Sequence, residues 1–256
     1  MLCACVVALW VVSLAITNVS IVDIFWGPAF AIVAWTAAWQ RAPEAFVPAW
    51  SLPRCVLLGG ITVWALRLGA YLAWRNVGHG EDSRYRTMRA RFGPSFRWTS
   101  LGIVFVLQGG LIFVISLPVQ FVLARDHALA WGGALWIPSI GFAVGLAFET
   151  IGDAQLARFK SNPTNRGRVM DRGLWRYTRH PNYFGDFVVW WSVFAWCFVA
   201  GAPWWTVASP LVMSTLLLRV SGVALLEETI VDRRPAYRDY IRRTSSFVPW
   251  LPKPPA

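Results

Sequence analysis

Residues 149–186 decide how this chain folds, and their sequence is ETIGDAQLARFKSNPTNRGRVMDRGLWRYTRHPNYFGD. The stretch leaves one apolar segment, crosses a polar region and enters a second apolar segment. Both apolar segments carry carboxylates close to the polar region, which are Glu149 and Asp153 before it and Asp186 after it. A single acid, Asp171, lies among the cations of the polar region, which are Arg158, Lys160, Arg166, Arg168, Arg172, Arg176 and Arg179. We therefore expect two membrane helices joined by a basic loop that forms half of a site for a large anionic ligand.

The composition is that of a membrane protein. Only 14% of the 256 residues are charged and 56% are hydrophobic, whereas a soluble domain carries roughly 25% charged residues. The chain is predicted to form one membrane domain, because no linker or internal repeat divides it. A net charge of +11 could suggest a nucleic-acid partner, but the cations concentrate in loops, as membrane orientation requires. We expect a lipid bilayer as partner and no nucleic acid.

Seven apolar runs predict an all-α fold with seven transmembrane helices, since about 20 helical residues cross a hydrocarbon core. The runs cover residues 2–16, 21–39, 55–74, 99–123, 135–156, 183–200 and 205–226. The first run lacks a basic leader and a cleavage pattern, so we expect a retained helix rather than a signal peptide.

The loops predict an orientation for these helices. Nearly all Lys and Arg residues lie in the loops at 75–98 and 157–182 and in the tail from residue 227, and the alternate loops hold few. Positive loops face the cytoplasm. This predicts an external N-terminus and a cytoplasmic C-terminus in a membrane like the bacterial inner membrane. The four cysteines have no ligand or disulfide spacing, and no metal site is expected.

Polar residues inside the apolar runs mark candidate sites, because burying them in lipid costs several kcal/mol unless they are paired or face a cavity. Glu149 and Asp153 are four residues apart and share one helix face. They either pair with nearby arginines for structure or hold hydroxyls and the amide of a bound cofactor. Helix capping could explain Asn182 and Asp186, but it does not explain Arg179 and His180 beside them.

Residues 173–183, GLWRYTRHPNY, resemble a signature shared by three groups of membrane enzymes. These groups are the steroid 5-alpha-reductase family, the sterol reductases, and the isoprenylcysteine and phospholipid methyltransferases. Three further stretches resemble the bacterial branch of the steroid 5-alpha-reductase-like proteins: SIVDIFWG at 20–27, EDSRY at 81–85 and TSSFVPW at 244–250. The match covers nearly the whole chain, whereas the methyltransferases typically match only the C-terminal half.

The resemblance implies seven transmembrane helices, a substrate cavity in residues 1–125 and an NADPH site on the cytosolic side of residues 126–256. By position, the resemblance places Glu149, Asp153, Lys160, Arg168, Asn182 and Asp186 among the cofactor-binding residues. Tyr177, Arg179 and His180 of the signature and Glu228 of the tail complete the predicted set. No GxGxxG follows a strand, which excludes a Rossmann site.

The reaction implied is hydride transfer from NADPH to the C=C bond of a 4-ene-3-keto steroid or a similar lipid enone. In the family an acid and a tyrosine polarise the substrate carbonyl, and Asp23 and Tyr85 are the candidates here. We expect Asp23 to be protonated, because desolvation disfavours a carboxylate. This chain has Val22-Asp23 where animal steroid reductases have a Gln-Glu pair, and their third-helix tyrosine has no clean counterpart. Asp23 as a helix cap and Tyr85 as an interface residue remain alternatives, and Gln108 either binds an oxygen of a ligand or bridges helices.

Two other functions stay open. A membrane methyltransferase that uses S-adenosylmethionine is one, because Glu227-Glu228 resembles an acidic pair of those enzymes. The arginine-rich loop favours NADPH, whose phosphates require several cations, over S-adenosylmethionine, which has no phosphate. A lipid-binding scaffold without catalysis is the other.

Overall fold

The computed structural model describes residues 1–40, 51–124, 132–220 and 237–254. The predicted all-α class is confirmed for this part of the chain. Its helices are α1 (Leu2–Ile16), α2 (Ile21–Trp39), α3 (Leu52–Asn76), α4 (Ser83–Phe92), α5 (Phe96–Ser100), α6 (Leu107–Ile115), α7 (Leu117–Leu123), α8 (Trp136–Ser161), α9 (Pro181–Val199), α10 (Ala208–Thr215) and α11 (Tyr237–Arg243). Wider π-type turns follow α5 (Leu101–Val106) and α10 (Leu216–Val220).

Four helical segments in the described ranges are long and apolar enough to cross a membrane. They are Ile21–Trp39, Leu52–Asn76, Ser83–Ile115 and Gly133–Ser161. The shorter α1 is also apolar. These segments support a membrane protein, and the prediction of seven spans stays a prediction. The predicted end of the last span, like Glu228, lies outside the described residues.

Exposed apolar side chains on α8 agree with a lipid environment. Trp136, Ile137, Ile140 and Val144 lie on the surface of this helix, and Ile137 is 79% exposed. A protein surrounded by water rarely presents such a continuous apolar surface. We infer that α8 contacts lipid along this part of its length.

The chain forms two compact units, which consist of Met1–Trp131 with Ala200–Thr206 and of Gly132–Val199 with Val207–Ala256. In unit 1, α2 packs against α3 because glycines let the two backbones approach closely. A methyl group on Gly69 would lie 2.7 Å from the ring of Pro28, and one on Gly27 would lie 2.7 Å from the Ala65 carbonyl. The rings of Phe30 and Trp64 meet edge to face beside this contact, and both are buried.

A second part of the unit 1 core joins α1 to the π-type turn. Val6 and Trp10 of α1 pack with Val104 and Phe105. The indole N–H of Trp10 donates to the carbonyl of Arg97 at 3.0 Å. These contacts fix the segment that leads into α6, and α6 carries Gln108.

In unit 2, α8 packs against α9, again through glycines. A methyl group on Gly145 would lie 2.7 Å from the Gly185 carbonyl, and one on Gly152 would lie 3.1 Å from the backbone nitrogen of Asn182. This close approach brings the carboxylates of α8 to the start of α9.

Candidate active site and cofactor region

Asp23 is the centre of a polar cluster in unit 1. It lies in the first turn of α2. The hydroxyl of Tyr85 donates to its Oδ1 at 2.7 Å, and Nη2 of Arg84 lies 2.7 Å from its Oδ2. Asp82 places both partners, because it caps α4 by accepting the backbone N–H of Arg84 at 2.9 Å. The two predicted catalytic residues are therefore in direct contact.

The hydrogen bonds of Tyr85 continue to α6. The Gln108 amide donates to the Tyr85 hydroxyl at 3.2 Å, so the phenol has a donor on one side and an acceptor on the other. Tyr85 is only 5% exposed and belongs to the core cluster of unit 1. A buried hydroxyl held by two partners has a fixed position. This environment differs from the lipid interface considered as an alternative for Tyr85.

Asp23 accepts hydrogen bonds from a cation and from a phenol. The sequence led us to expect a protonated acid, since Asp23 begins an apolar helix. Arg84 lies 61 positions further along the chain, and its guanidinium donates to Oδ2 of the carboxyl group. In the hydrogen bond between the two residues the Tyr85 hydroxyl is the donor and Oδ1 of Asp23 is the acceptor.

A second ion pair holds the segment that carries Arg84 and Tyr85. Oε1 of Glu81 accepts the backbone N–H of Val19 at 2.9 Å and Nη2 of Arg89 at 2.7 Å, and its Oε2 accepts Nε of Arg89 at 2.9 Å. Ser20 Oγ accepts the N–H of Asp82 at 2.6 Å. These bonds attach the start of α4 to the turn between α1 and α2. Sequence reasoning did not select Glu81 or Arg89 for this role.

These contacts also affect the acids beside the cluster. Burial tends to raise the pKa of Glu81, but the hydrogen bonds from Arg89 and Val19 outweigh it and lower the pKa below its usual value. Burial also tends to raise the pKa of Asp82, but the side-chain and backbone hydrogen bonds from Arg84 outweigh it and lower the pKa below its usual value. Both groups are therefore carboxylates at neutral pH.

Asp153 and Asn182 are in contact in unit 2, and Glu149 lies one helical turn before Asp153 on α8. Glu149 is 3% exposed and Asp153 is 4% exposed. The Asn182 amide at the start of α9 donates to Oδ1 of Asp153 at 3.0 Å. A partly buried amide near two buried carboxylates is a set of groups that can bind hydroxyls and amides of a ligand.

Arg179 contacts the C-terminal tail. It is buried, and its Nη1 donates to the carbonyls of Ile241 and Thr244 at 2.9 and 2.8 Å. Its backbone N–H donates to Ser245, and the neighbouring Thr178 hydroxyl donates to the Phe247 carbonyl. The signature segment and the tail thus form one structure, which the sequence did not predict.

The remaining predicted cofactor residues lie in different environments. His180 is buried and its ring stacks on Tyr183, with 5.6 Å between the ring centroids. Tyr177 is 39% exposed, and its carbonyl accepts the N–H of Trp250 at 2.9 Å. Lys160 lies in the last turn of α8 and Arg168 in the loop after it, and both are exposed, while Asp186 is partly buried on α9. Glu228 lies outside the described residues.

Three side chains that the sequence analysis did not select hold the signature segment in place. Gln155 Oε1 accepts the backbone N–H of Leu174 at 3.0 Å. The indole of Trp175 donates to the Gly152 carbonyl at 3.0 Å, and the hydroxyl of Tyr240 donates to the Trp175 carbonyl. Gln155 was visible as a polar residue near the end of an apolar helix, but its partner could not be read from the sequence.

The geometry can now be compared with known proteins. A family model described as "Protein of unknown function (DUF1295)" matches residues 9–244, which is most of the chain. The chain belongs to the DUF1295 family. This is a membrane family similar to the steroid 5-alpha-reductases, so the resemblance inferred from the signature is supported at family level.

Two relatives of this DUF1295 protein are informative. It is 24% identical over 217 residues to an uncharacterized protein of Schizosaccharomyces pombe, across 74% of this chain and 61% of the relative. It is 33% identical over 101 residues to a probable O-methyltransferase of Ustilaginoidea virens, across 36% of this chain and 35% of the relative. The chain thus spans less than two thirds of each relative. No solved structure matches it.

Proposed function

We propose that this DUF1295 protein reduces the C=C bond of an enone in an apolar lipid, of which a 4-ene-3-keto steroid is the type, with NADPH as the reductant. The observation that carries the proposal is the hydrogen bond between Tyr85 and Asp23, with Gln108 behind the phenol. An acid and a tyrosine in contact are the groups that the resemblance implied for carbonyl polarisation.

Tyr85 has the central role in the proposed reaction. Reduction of an enone at its β-carbon moves negative charge to the carbonyl oxygen, and a donor at that oxygen stabilises the transition state more than the ground state. In the free protein the phenol proton points to Asp23. A carbonyl oxygen beside the phenol competes with Asp23 for this proton, while the Gln108 amide keeps the hydroxyl oxygen in position. Asp23 then acts as a positioning residue, held in turn by Arg84.

The polar groups of unit 2 fit a phosphorylated dinucleotide by their chemistry. The carboxylates of Glu149 and Asp153 suit ribose hydroxyls, and the Asn182 amide suits a carboxamide. Lys160 and Arg168 provide cations for phosphate groups. When bound, NADPH supplies the hydride. The contacts of Arg179 with the tail fix the backbone that leads into Asn182. Arg179 therefore has a positioning role.

Methyl transfer to a lipid or prenyl-cysteine acceptor is the second candidate function. One observation favours it, the 33% identity over 101 residues with a probable O-methyltransferase. S-adenosylmethionine would supply the methyl group in that case. The buried carboxylates of unit 2 suit a cationic ligand as well as hydroxyls, so methyl transfer requires its own test.

The test uses the purified full-length protein in detergent. Addition of a 4-ene-3-keto steroid is expected to oxidise NADPH and so to lower its absorbance. The same steroid with a saturated A ring is the control and should leave the absorbance unchanged. Labelled methyl transfer from S-adenosylmethionine to extracted lipids, without NADPH consumption, would replace the reductase proposal by the second candidate.

A further inference from the structure

We propose that unit 2 has a separate site for a phosphate-bearing ligand, in a cavity between the signature segment and the C-terminal tail. The cavity has a volume of about 590 Å³, a size typical of small-molecule sites. None of the predicted cofactor residues is among the described residues that line it. The proposal therefore does not depend on the reductase function.

The charges of the lining carry the inference. Arg172 and Arg176 come from the basic loop between α8 and α9, and Arg243 and Lys253 come from the tail. Asp171 is the single acid among the described lining residues, and its Oδ2 lies 3.9 Å from Nη2 of Arg243. Such a partly exposed ion pair contributes little to stability. Four cations facing one cavity repel one another, and a bound anion removes that repulsion.

The two walls of the cavity are held in place independently of any ligand. In the first wall the chain turns at Gly173, whose φ is +60°. A side chain at this position would collide with Gln155. The Tyr240 hydroxyl ties the tail helix to the Trp175 carbonyl. The backbone N–H of Lys253 donates to the Arg243 carbonyl at 2.9 Å, which folds the end of the tail back onto α11. The cations are therefore presented by a preformed framework, which reduces the entropy lost on binding.

Phosphate is the anion that fits this lining best. A phosphate monoester carries about −1.5 to −2 charges and has three strong acceptor oxygens, whereas a carboxylate carries one charge. Arginine binds phosphate oxygens in pairs, and lysine adds a point charge. The phosphate can belong to a soluble metabolite or to the headgroup of an anionic lipid, and the same chemistry serves both.

The test measures binding to the full-length protein with two probes. Inorganic pyrophosphate is titrated onto protein in phosphatidylcholine nanodiscs, and phosphatidic acid binding is followed by native mass spectrometry in detergent. Arg176→Ala and Lys253→Ala are each expected to weaken binding about tenfold, which corresponds to about 1.4 kcal/mol of lost attraction to a charged group. Arg238→Ala is the matched control, because Arg238 is exposed on α11 and does not line the cavity.

Binding of pyrophosphate alone identifies a soluble phosphate ligand, and binding of phosphatidic acid identifies a lipid headgroup; both support the site. The Lys253→Ala protein keeps the experiment decisive if Arg176→Ala does not fold. The proposal is overturned if neither probe binds, or if Arg238→Ala weakens binding as much as the cavity variants, since the attraction would then be diffuse charge. A failed reductase assay leaves this outcome unchanged.

Discussion

The hydroxyl of Tyr85 lies 2.7 Å from Oδ1 of Asp23, although the two residues are 62 positions apart in the chain. Asp23 lies in the first turn of a long apolar helix, and Tyr85 lies in the first turn of a short basic helix. Their contact depends on Glu81 and Asp82, which attach the basic segment to the turn before α2. Positioning of this pair is therefore a property of the loop as much as of the helices.

Replacement of Tyr85 by Phe should lower turnover about 100-fold, the order of magnitude lost with a donor at a developing oxyanion. NADPH affinity should stay the same, because Tyr85 is not among the proposed cofactor-binding residues. Asp23→Asn should lower turnover as well, with a smaller effect on binding. Steady-state rates and fluorescence titration of NADPH measure the two quantities separately. Full turnover by Tyr85→Phe would exclude the phenol as the donor.

Asn182→Ala should weaken NADPH binding, because it removes the amide that donates to Asp153 and that we assign to the cofactor. Arg168→Ala should weaken binding through the loss of a phosphate contact. Arg158→Ala serves as the control, since Arg158 is an exposed arginine of the same α8-to-α9 region that is not among the proposed cofactor residues. Unchanged affinity in both of the first two variants would show that this region does not hold the cofactor.

Gly69→Ala should destabilise the protein by about 1–3 kcal/mol, the usual cost of overpacking. The new methyl group would lie 2.7 Å from the Pro28 ring in α2. Gly59→Ala is the matched control on the same helix, because a methyl group there meets no atom within 4 Å. Thermal unfolding in detergent compares the variants. Equal melting temperatures for the two proteins would contradict the close packing of α2 on α3.

The Glu81 ion pair should make stability depend on pH on the acid side. Because the pKa of folded Glu81 lies below its ordinary value of 4.5, the folded state binds fewer protons than the unfolded state. Its contribution is complete above that ordinary value and is lost as the pH falls through the lower folded value. Glu81→Gln should therefore melt earlier at pH 7 and lose less stability between pH 5 and pH 3, by the same linkage. Asp239→Asn, which removes an exposed carboxylate of α11, is the control and should melt like the wild type.

The long helices were predictable because their signal is local: an apolar run of sufficient length has few alternatives in lipid. The runs predicted at 2–16 and 21–39 coincide with α1 and α2. The helix at Ser83–Phe92 was missed, since ten residues with four arginines carry no apolar run. Its start is set by the Asp82 cap, and its position by Glu81.

The candidate site was predictable only in part. Glu149 and Asp153 were selected as acids within an apolar run and Asn182 as part of the signature, and the fold places Asn182 in contact with Asp153 at the start of α9. The partners of Arg179 could not be inferred, because its carbonyl acceptors lie 62 and 65 positions away and have no side-chain signal. Arg84, the cation beside Asp23, was missed for the same reason, because it lies 61 positions away. Long-range contacts to a loop depend on the path of the backbone, which residue types alone do not specify.

The bonds between the signature segment and the tail have a consequence for genetics and for protein engineering. Arg179 and Thr178 find their acceptors in residues 241–247. A stop codon shortly before residue 241 would therefore retain the four described helical segments long enough to cross a membrane and still disorder the segment that leads into Asn182. Late truncating alleles should therefore behave as loss-of-function alleles. Affinity tags are better attached at the opposite terminus.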